Sequence, residues 1–396
     1  MVYPDHIDEI IRRLEDSGES AYVVGGSLRD MMLGKRPHDY DVATSALPEK
    51  TLGVFSDKRV IETGIKHGTV TVLWNNDPVE ITTFRIDGSY TDMRHPDTVS
   101  FTSDIVCDLS RRDFTVNAMA YNKRSGLVDP FGGAEDVKKK LIRAVGVPEH
   151  RFCEDALRIM RAFRFSAQLG FEIDNDTLEG AARAKDGLFR VARERIGNEF
   201  VRLLTSEAPC RPLRFMAETG VLYYVLGSYI PSERLIDNVG KMPPADTARL
   251  GFILYEADRE RARQILRELR LSTKQITGAL ATHTGCAVCV NTPEDARRLI
   301  ARTGVYAQAA ARGSELLCNS PEGAEKLTER QQSTPCSLRE LKINGKALSE
   351  MGVRGKLIGE ILDELLDRVI EEPSLNDART LIALAEKIIE EKGSEK

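Results

Sequence analysis

The hydrophobic pattern of this chain changes period once. Up to residue 133, short apolar runs follow one another: AYVV (21–24), DYDVAT (39–44), TVTVLW (69–74), VEITTF (79–84) and NAMAY (117–121). Runs this short, bounded by Gly, Pro, Asn and Asp and interleaved with helix signals, read as the strands of one α/β domain. Beyond DPFGG (129–133) the strand signals stop. Longer segments with helical spacing take over, such as EDALRIMRAFRFSAQLGF (154–171) and RERIGNEFVRLLTS (193–206). The expected fold class is therefore an α/β head followed by an all-α remainder. Pro209, Pro212, Pro243-Pro244 and the polar stretch 319–335 mark breaks between helical units. In the last part, Ile361, Leu362, Leu365 and Val369 form a stripe expected to pack in a core.

A net charge of −5 argues against a general polyanion binder. The average hides a gradient, because residues 94–214 hold 21 Lys+Arg against 18 Asp+Glu, +3 locally and −8 for the rest. A basic middle permits nucleic-acid contact. No run of eighteen apolar residues occurs and the N-terminus lacks an apolar leader, so the expected location is cytoplasmic. The seven cysteines are irregularly spaced and expected to be reduced thiols. Cys286 and Cys289 form one CxxC with His283 nearby, but without a second pair to complete a zinc site, packing on a helix is the favoured reading.

In AYVVGGSLRDMMLG, a strand runs into Gly25-Gly26 and then into a helix from Ser27 to Leu33, with Gly34 as C-cap. Two glycines at such a turn let the backbone approach an anion, and Arg29 one turn on can add a cationic contact. The same turn is also common for purely structural reasons. Asp39 and Asp41, if both lie on a strand, face the same way, with Tyr40 turned into the core. Paired carboxylates are costly unless a cation or a proton neutralises them, and Mg2+ with substrate phosphates would do so; a solvated Asp-rich turn is the alternative. Glu80, on the face of its strand opposite Val79, Ile81 and Thr83, is either solvent-facing or a third catalytic carboxylate. Together these features suggest nucleotidyl transfer.

GGSLRDMMLGKRPHDYDVAT, RRDFTVNAMAY (111–121), DPFGGAEDVKKKLIRAV (129–145), EDALRIMRAFRFSAQLGFEI (154–173) and RERIGNEFVRLL (193–204) resemble, in order and spacing, successive motifs of the class II tRNA nucleotidyltransferases and their poly(A) polymerase relatives. The resemblance implies a polymerase-beta-like mixed-sheet head (1–133), then a helical neck recognising the nucleotide (134–206), a body (207–275) and a tRNA-binding tail (276–396). Carried over by position, it makes Asp39 and Asp41 the Mg2+ ligands. It also makes Gly25, Gly26 and Arg29 triphosphate contacts, Arg111 and Arg112 nucleotide contacts, and Asp155, Arg158, Arg161 and Arg164 members of a nucleotide-binding helix.

On one helix, Asp155 and Arg158 would share a face that Arg161 and Arg164 extend. A carboxylate only accepts and a guanidinium only donates, so an Asp/Arg pair complements the amine-beside-acceptor edge of cytosine and adenine and opposes uracil and guanine. An amphipathic helix carrying a Glu154–Arg158 salt bridge is the alternative. The loop FRIDGSYTDMRHPDTVSF (84–101) is similar to that of enzymes able to add the terminal A; His95 and Cys107 depart from the family pattern. The function implied is addition of C, C and A to tRNA 3′ ends from CTP and ATP. A-addition beside a separate CC-adding enzyme, poly(A) synthesis, and a non-catalytic RNA-binding module are the alternatives.

Overall fold

The structure is a computed structural model that describes residues 3–88, 99–318, 327 and 336–393. It divides into two compact units, Met1–Ile230 and Pro231–Lys396.

The first unit opens with α1 (Asp5–Asp16), whose Ile7, Ile10, Ile11 and Leu14 recur at helical spacing and are all buried. They pack under a seven-stranded mixed sheet of order β3-β4-β5-β2-β1-β8-β9. Its strands are β1 (Ala21–Val24), β2 (Asp41–Thr44), β3 (Arg59–Ile61), β4 (Thr69–Trp74), β5 (Asp77–Thr83), β8 (Ala120–Asn122) and β9 (Gly126–Val128); β6 (Arg85–Asp87) and β7 (Val99–Phe101) pair separately. AYVV, TVTVLW and VEITT are strands as read, whereas DYDVAT is strand only from Asp41, and of NAMAY only Ala120 and Tyr121 lie in a strand, Asn117 ending a 3-10 turn. In β1, Ala21 and Val23 join the cluster beneath the sheet, while Tyr22 and Val24 join a second cluster with Phe84, Leu109 and Ala120. Both faces are covered, which is why AYVV is continuously apolar rather than alternating. Asn75 and Asn76, both at positive φ (51° and 68°), make the tight turn between β4 and β5.

Helices α2 (Gly26–Met32), α3 (Pro48–Val54), α4 (Ile105–Ser110) and α5 (Gly133–Lys139) lie between or after the strands. From there the unit is helical, with α6 (Pro148–Glu154), α7 (Leu157–Leu169), α8 (Asn175–Ala184) and α9 (Arg193–Leu204). One exception stands against the expectation that strands end at residue 133. β10 (Leu141–Ile142) pairs in parallel with β11 (Glu172–Ile173), each too short to show a period.

The second unit is helical throughout its described residues. Ser272 with Gln275 and Thr292 with Asp295 form capping boxes at the starts of helices Thr273–Gly285 and Pro293–Thr303. In helix Lys356–Glu371, Ile361, Leu365 and Val369 are fully buried with Leu381 and Ile388, as the stripe predicts. No described helix is long and apolar enough to cross a membrane.

Candidate active site

Gly25 closes β1 at φ 73°, ψ −143°, a conformation that side chains bearing a Cβ rarely adopt. The neighbours are also close: a Cβ here would lie 3.3 Å from Arg112 Nη1, tight enough that the guanidinium would have to give by a few tenths of an ångström, and 3.6 Å from Asp41 Oδ2, in ordinary contact. The turn thus brings the backbone against a carboxylate and a guanidinium together. Antiparallel pairing sets Val24 opposite Asp41, and parallel pairing sets Asp41 opposite Glu80. Directly opposed residues share a sheet face, so Asp41 and Glu80 point the same way. Val79, Ile81 and Thr83 are buried behind them and Glu80 is exposed, the alternation the sequence predicts.

The DxD reading is corrected in one respect. β2 begins at Asp41, and Asp39 lies in a bend before it, so strand alternation does not orient Asp39. The physical reason is local, since Pro37 and the exposed His38-Asp39 stretch keep the backbone off the ladder until Asp41. Asp39 lines a side cavity with Arg36, His38 and Tyr40, while its charge still reaches Asp41. Tyr40 packs on the core beneath the sheet, as expected. The Asp41 carboxyl, open to the cleft yet walled by protein, is pushed up to about 6 by burial, then by Glu80 and Asp39, against the pull of Arg112. Among the described residues no three His, Cys, Asp or Glu side chains form a ready-made metal cage. Carboxylates repelling one another beside space for a ligand suit a hard cation that takes one or two protein oxygens and completes its shell from phosphates.

These residues line one cleft of about 500 Å3 in the first unit. Six arginines (29, 111, 112, 158, 161 and 195) face four carboxylates (Asp41, Glu80, Asp113 and Asp155) across it, a surplus suited to a polyphosphate. The arginines are held by a buried scaffold. Arg29 donates to Asn117 Oδ1 at 2.6 Å and to Asp30. Arg111 and Arg112 both pair with Asp108, which is 1% exposed. Burial would raise the Asp108 carboxyl, but Arg112 and Arg111 hold it below the usual range. The Nε of Arg112 is buried without a hydrogen-bond partner, a spare donor at the edge of the cleft. Cys107 donates to Asp104 instead of facing the arginines. His95 lies outside the described residues.

The segment expected from the sequence to recognise the base is not one helix. α6 ends at Glu154, Asp155 is extended (φ −142°, ψ 103°), and α7 starts at Leu157. Asp155 Oδ1 accepts the backbone N–H of Leu157 at 3.0 Å, so the carboxylate caps α7 rather than riding on it. Its Oδ2 accepts from Arg195 Nη2 at 3.1 Å. Arg158 donates to Glu154 at 2.6 Å, to the Arg151 carbonyl and to the Arg111 carbonyl. The anticipated Glu154–Arg158 pair is thus present, and the three bonds together use both Nη1–H groups and one Nη2–H of Arg158. Arg161 pairs with Asp113 at 2.6 Å. Burial would raise the Asp113 carboxyl, yet Arg161, with Asn117 and Arg158 behind it, brings it down to about 2. Arg164 lies outside the cleft lining: it is buried against Glu199 at 2.6 Å, bonds Gln168 and lies over the Phe165 ring.

Asp113, Asn117, Phe165 and Arg195 also line the cleft without having been singled out from the sequence. All four sit inside quoted motifs: Asp113 and Asn117 in RRDFTVNAMAY, Phe165 in EDALRIMRAFRFSAQLGF and Arg195 in RERIGNEFVRLL. No local signal marks Asp113, because its counter-charge is Arg161, 48 residues further along the chain.

The family described as the Poly A polymerase head domain matches residues 21–143, and one described as the probable RNA and SrmB-binding site of polymerase A matches 170–231. The CCA-adding enzyme of Leuconostoc mesenteroides is 36% identical over 388 residues, covering 96% of this chain and 95% of that one. That of Ligilactobacillus salivarius is 35% identical, covering 97% and 96%. The crystal structure of the Bacillus stearothermophilus CCA-adding enzyme in complex with CTP superposes with a TM-score of 0.79 at 31% identity, over 99% of this chain and 100% of that one.

Proposed function

This chain belongs to the family of CCA-adding enzymes, and on that premise we propose that it adds C, C and A to the 3′ end of tRNA, taking CTP and ATP and releasing pyrophosphate. The observation that carries the reading is the register that sets Asp41 beside Glu80 and against the Gly25 turn, in a cleft also lined by Arg112, Asp155 and Arg158.

The triphosphate lies along Gly25, Gly26, Arg29, Arg111 and Arg112, whose donors neutralise it. The tRNA 3′ oxygen forms a bond to the α-phosphorus as the bond from that phosphorus to the β-phosphate oxygen breaks, and pyrophosphate leaves. The hydroxyl proton passes to solvent or to a carboxylate, with Glu80 the nearest candidate on the strand beside Asp41. Asp41, Asp39 and Glu80 would hold the divalent metal of this reaction class, which we take to be Mg2+; when bound, it lowers the pKa of the attacking hydroxyl and neutralises the leaving group. Asp155 accepts from the exocyclic amine and Arg158 donates to the ring acceptor of cytosine or adenine, so the protein acts as template. Arg161 holds Asp113, and Arg164 supports α7 from behind. The helical remainder, divided near residues 206 and 275, holds the acceptor arm through backbone and shape.

The test supplies tRNA transcripts ending before the first C, after one C and after two, with each nucleotide singly and together. Two C additions followed by one A, from an unextended end, are expected. Addition of A only to ends already carrying two C would establish an A-adding enzyme, and long A tracts on unrelated RNA a poly(A) polymerase. Retention of tRNA without extension would leave a binding module.

A further inference from the structure

The CxxC of the sequence looks like a pair, but the fold separates its two members. Cys286 is buried, and burial, then Cys318, pushes its thiol up to about 12. It packs into the space that a side chain at Gly313 would need, 2.2 Å from that position. Cys289 is exposed, three residues on in the segment that follows helix Thr273–Gly285. Its sulfur donates to the sulfur of Cys318, the last residue of helix Ala307–Cys318 and also exposed, at 2.6 Å. That separation is about half an ångström above a ~2.05 Å disulfide bond. The neighbouring backbone is already tied: Ser314 Oγ donates to the Val288 carbonyl at 2.6 Å and approaches Cys318 Sγ at 3.9 Å. Val288, beside Cys289, packs on the cluster formed by Leu299, Ala307, Ala310 and Ala311. Closing the bond therefore asks the two sulfurs to approach by about half an ångström.

We propose that Cys289 and Cys318 are an oxidisable dithiol, a modification site that a low-molecular-weight disulfide such as oxidised glutathione converts to an intramolecular disulfide. The Cys289 thiolate attacks one sulfur of the small disulfide; that S–S bond breaks, a mixed disulfide forms, and one small thiol leaves with a proton. Cys318, having lost its proton to solvent, then attacks the Cys289 sulfur and expels the second small thiol. Two protein thiols are oxidised and one small disulfide is reduced to two thiols. The hydrogen bond to Cys318 raises the Cys289 thiol above its ordinary value, so the exchange accelerates as pH rises.

The full chain is equilibrated in buffers of graded oxidised to reduced glutathione, quenched with an alkylating agent, and mapped by peptide mass spectrometry; exposed Cys153 is the internal reference. The expected product is a cross-linked peptide pair holding Cys289 and Cys318, two hydrogens lighter than the reduced pair. It should be half formed at an oxidised glutathione level about tenfold or more below that needed to glutathionylate half of Cys153. Cys289→Ser and Cys318→Ser should each leave the remaining thiol carrying glutathione; having both guards against misfolding of either. Stable mixed disulfides on both cysteines without the cross-link, or a Cys286–Cys289 bond in its place, would overturn the assignment.

Discussion

At the scale of single residues, the site depends on positions where no other side chain fits or where one charge holds another. Gly25→Ala puts a Cβ at φ 73° and into the approach of Arg112 and Asp41. Strain of this kind costs about 1–3 kcal/mol, and a shift of the cleft wall near an ångström costs about 100-fold in rate. The expected result is a modest fall in melting temperature with a roughly 100-fold fall in kcat/KM; activity within twofold of the parent would show that the turn has slack. Arg161→Gln tests the other kind of dependence. Asp113 sits at about 2 in the folded state against an ordinary 3.8. A depressed carboxylate stabilises the fold above its unfolded pKa, and that stabilisation is lost as pH falls from about 4 to about 2. It is worth about 2 kcal/mol near neutrality. Without Arg161, burial is opposed only by Asn117 and Arg158, so the acid-unfolding midpoint should move to higher pH, and the stability gap between variant and parent should narrow near pH 2. Equal midpoints in pH titrations followed by circular dichroism would mean that Asn117 and Arg158 hold Asp113 unaided.

At the scale of elements, the break between α6 and α7 gives Asp155 two duties that can be separated. Its Oδ1 caps α7 and its Oδ2 takes Arg195, so the carboxylate proposed to read the base is fixed from both sides. Asp155→Asn keeps an oxygen for the Leu157 N–H but loses the ion pair and the all-acceptor edge. Stability should change by less than about 1 kcal/mol, while discrimination of CTP over UTP falls by about tenfold or more. Asp155→Ala removes the cap as well and should cost about 1 kcal/mol further. If the Asn variant keeps full selectivity in single-nucleotide assays, another group chooses the base. Arg195→Gln should reproduce part of the Asn phenotype, raising misincorporation, because it removes the ion pair that holds Asp155 Oδ2. This break also marks where the sequence stopped being legible. Residues 154–171 read as one helical period because Ile159, Met160 and Phe163 keep the apolar spacing. What periodicity does not register is a single residue whose side chain competes for the backbone and restarts the helix. The strands were legible because burial on both faces or on one writes itself as runs or alternation, as in AYVV and VEITT. Arg164 is expected in the cleft from the resemblance and from its helical spacing, yet it turns inward because Glu199, 35 residues away, is buried on α9 to meet it.

At the scale of the whole molecule, every residue lining the nucleotide cleft belongs to the first unit, and the cores that support it are drawn from the same unit. The second unit has cores of its own, around Leu299 and Ala310 and around Ile361, Leu365 and Leu381. Two cores in one chain predict separable behaviour. A fragment ending at Ile230 should fold cooperatively, bind CTP with an affinity within about threefold of the full chain, and bind tRNA far more weakly. The difference should depend on salt, because RNA held by backbone contacts releases counterions, and a fragment with fewer contacts gives a shallower slope of log affinity against log salt. Calorimetry with CTP and filter binding across a salt series separate these claims. A fragment that shows native helix content yet fails to bind CTP would place part of the nucleotide site beyond residue 230. A fragment that retains tRNA with an unchanged slope would instead put the acceptor-arm contacts in the region of 170–231 that matches the RNA-binding family, leaving the second unit a role other than holding RNA.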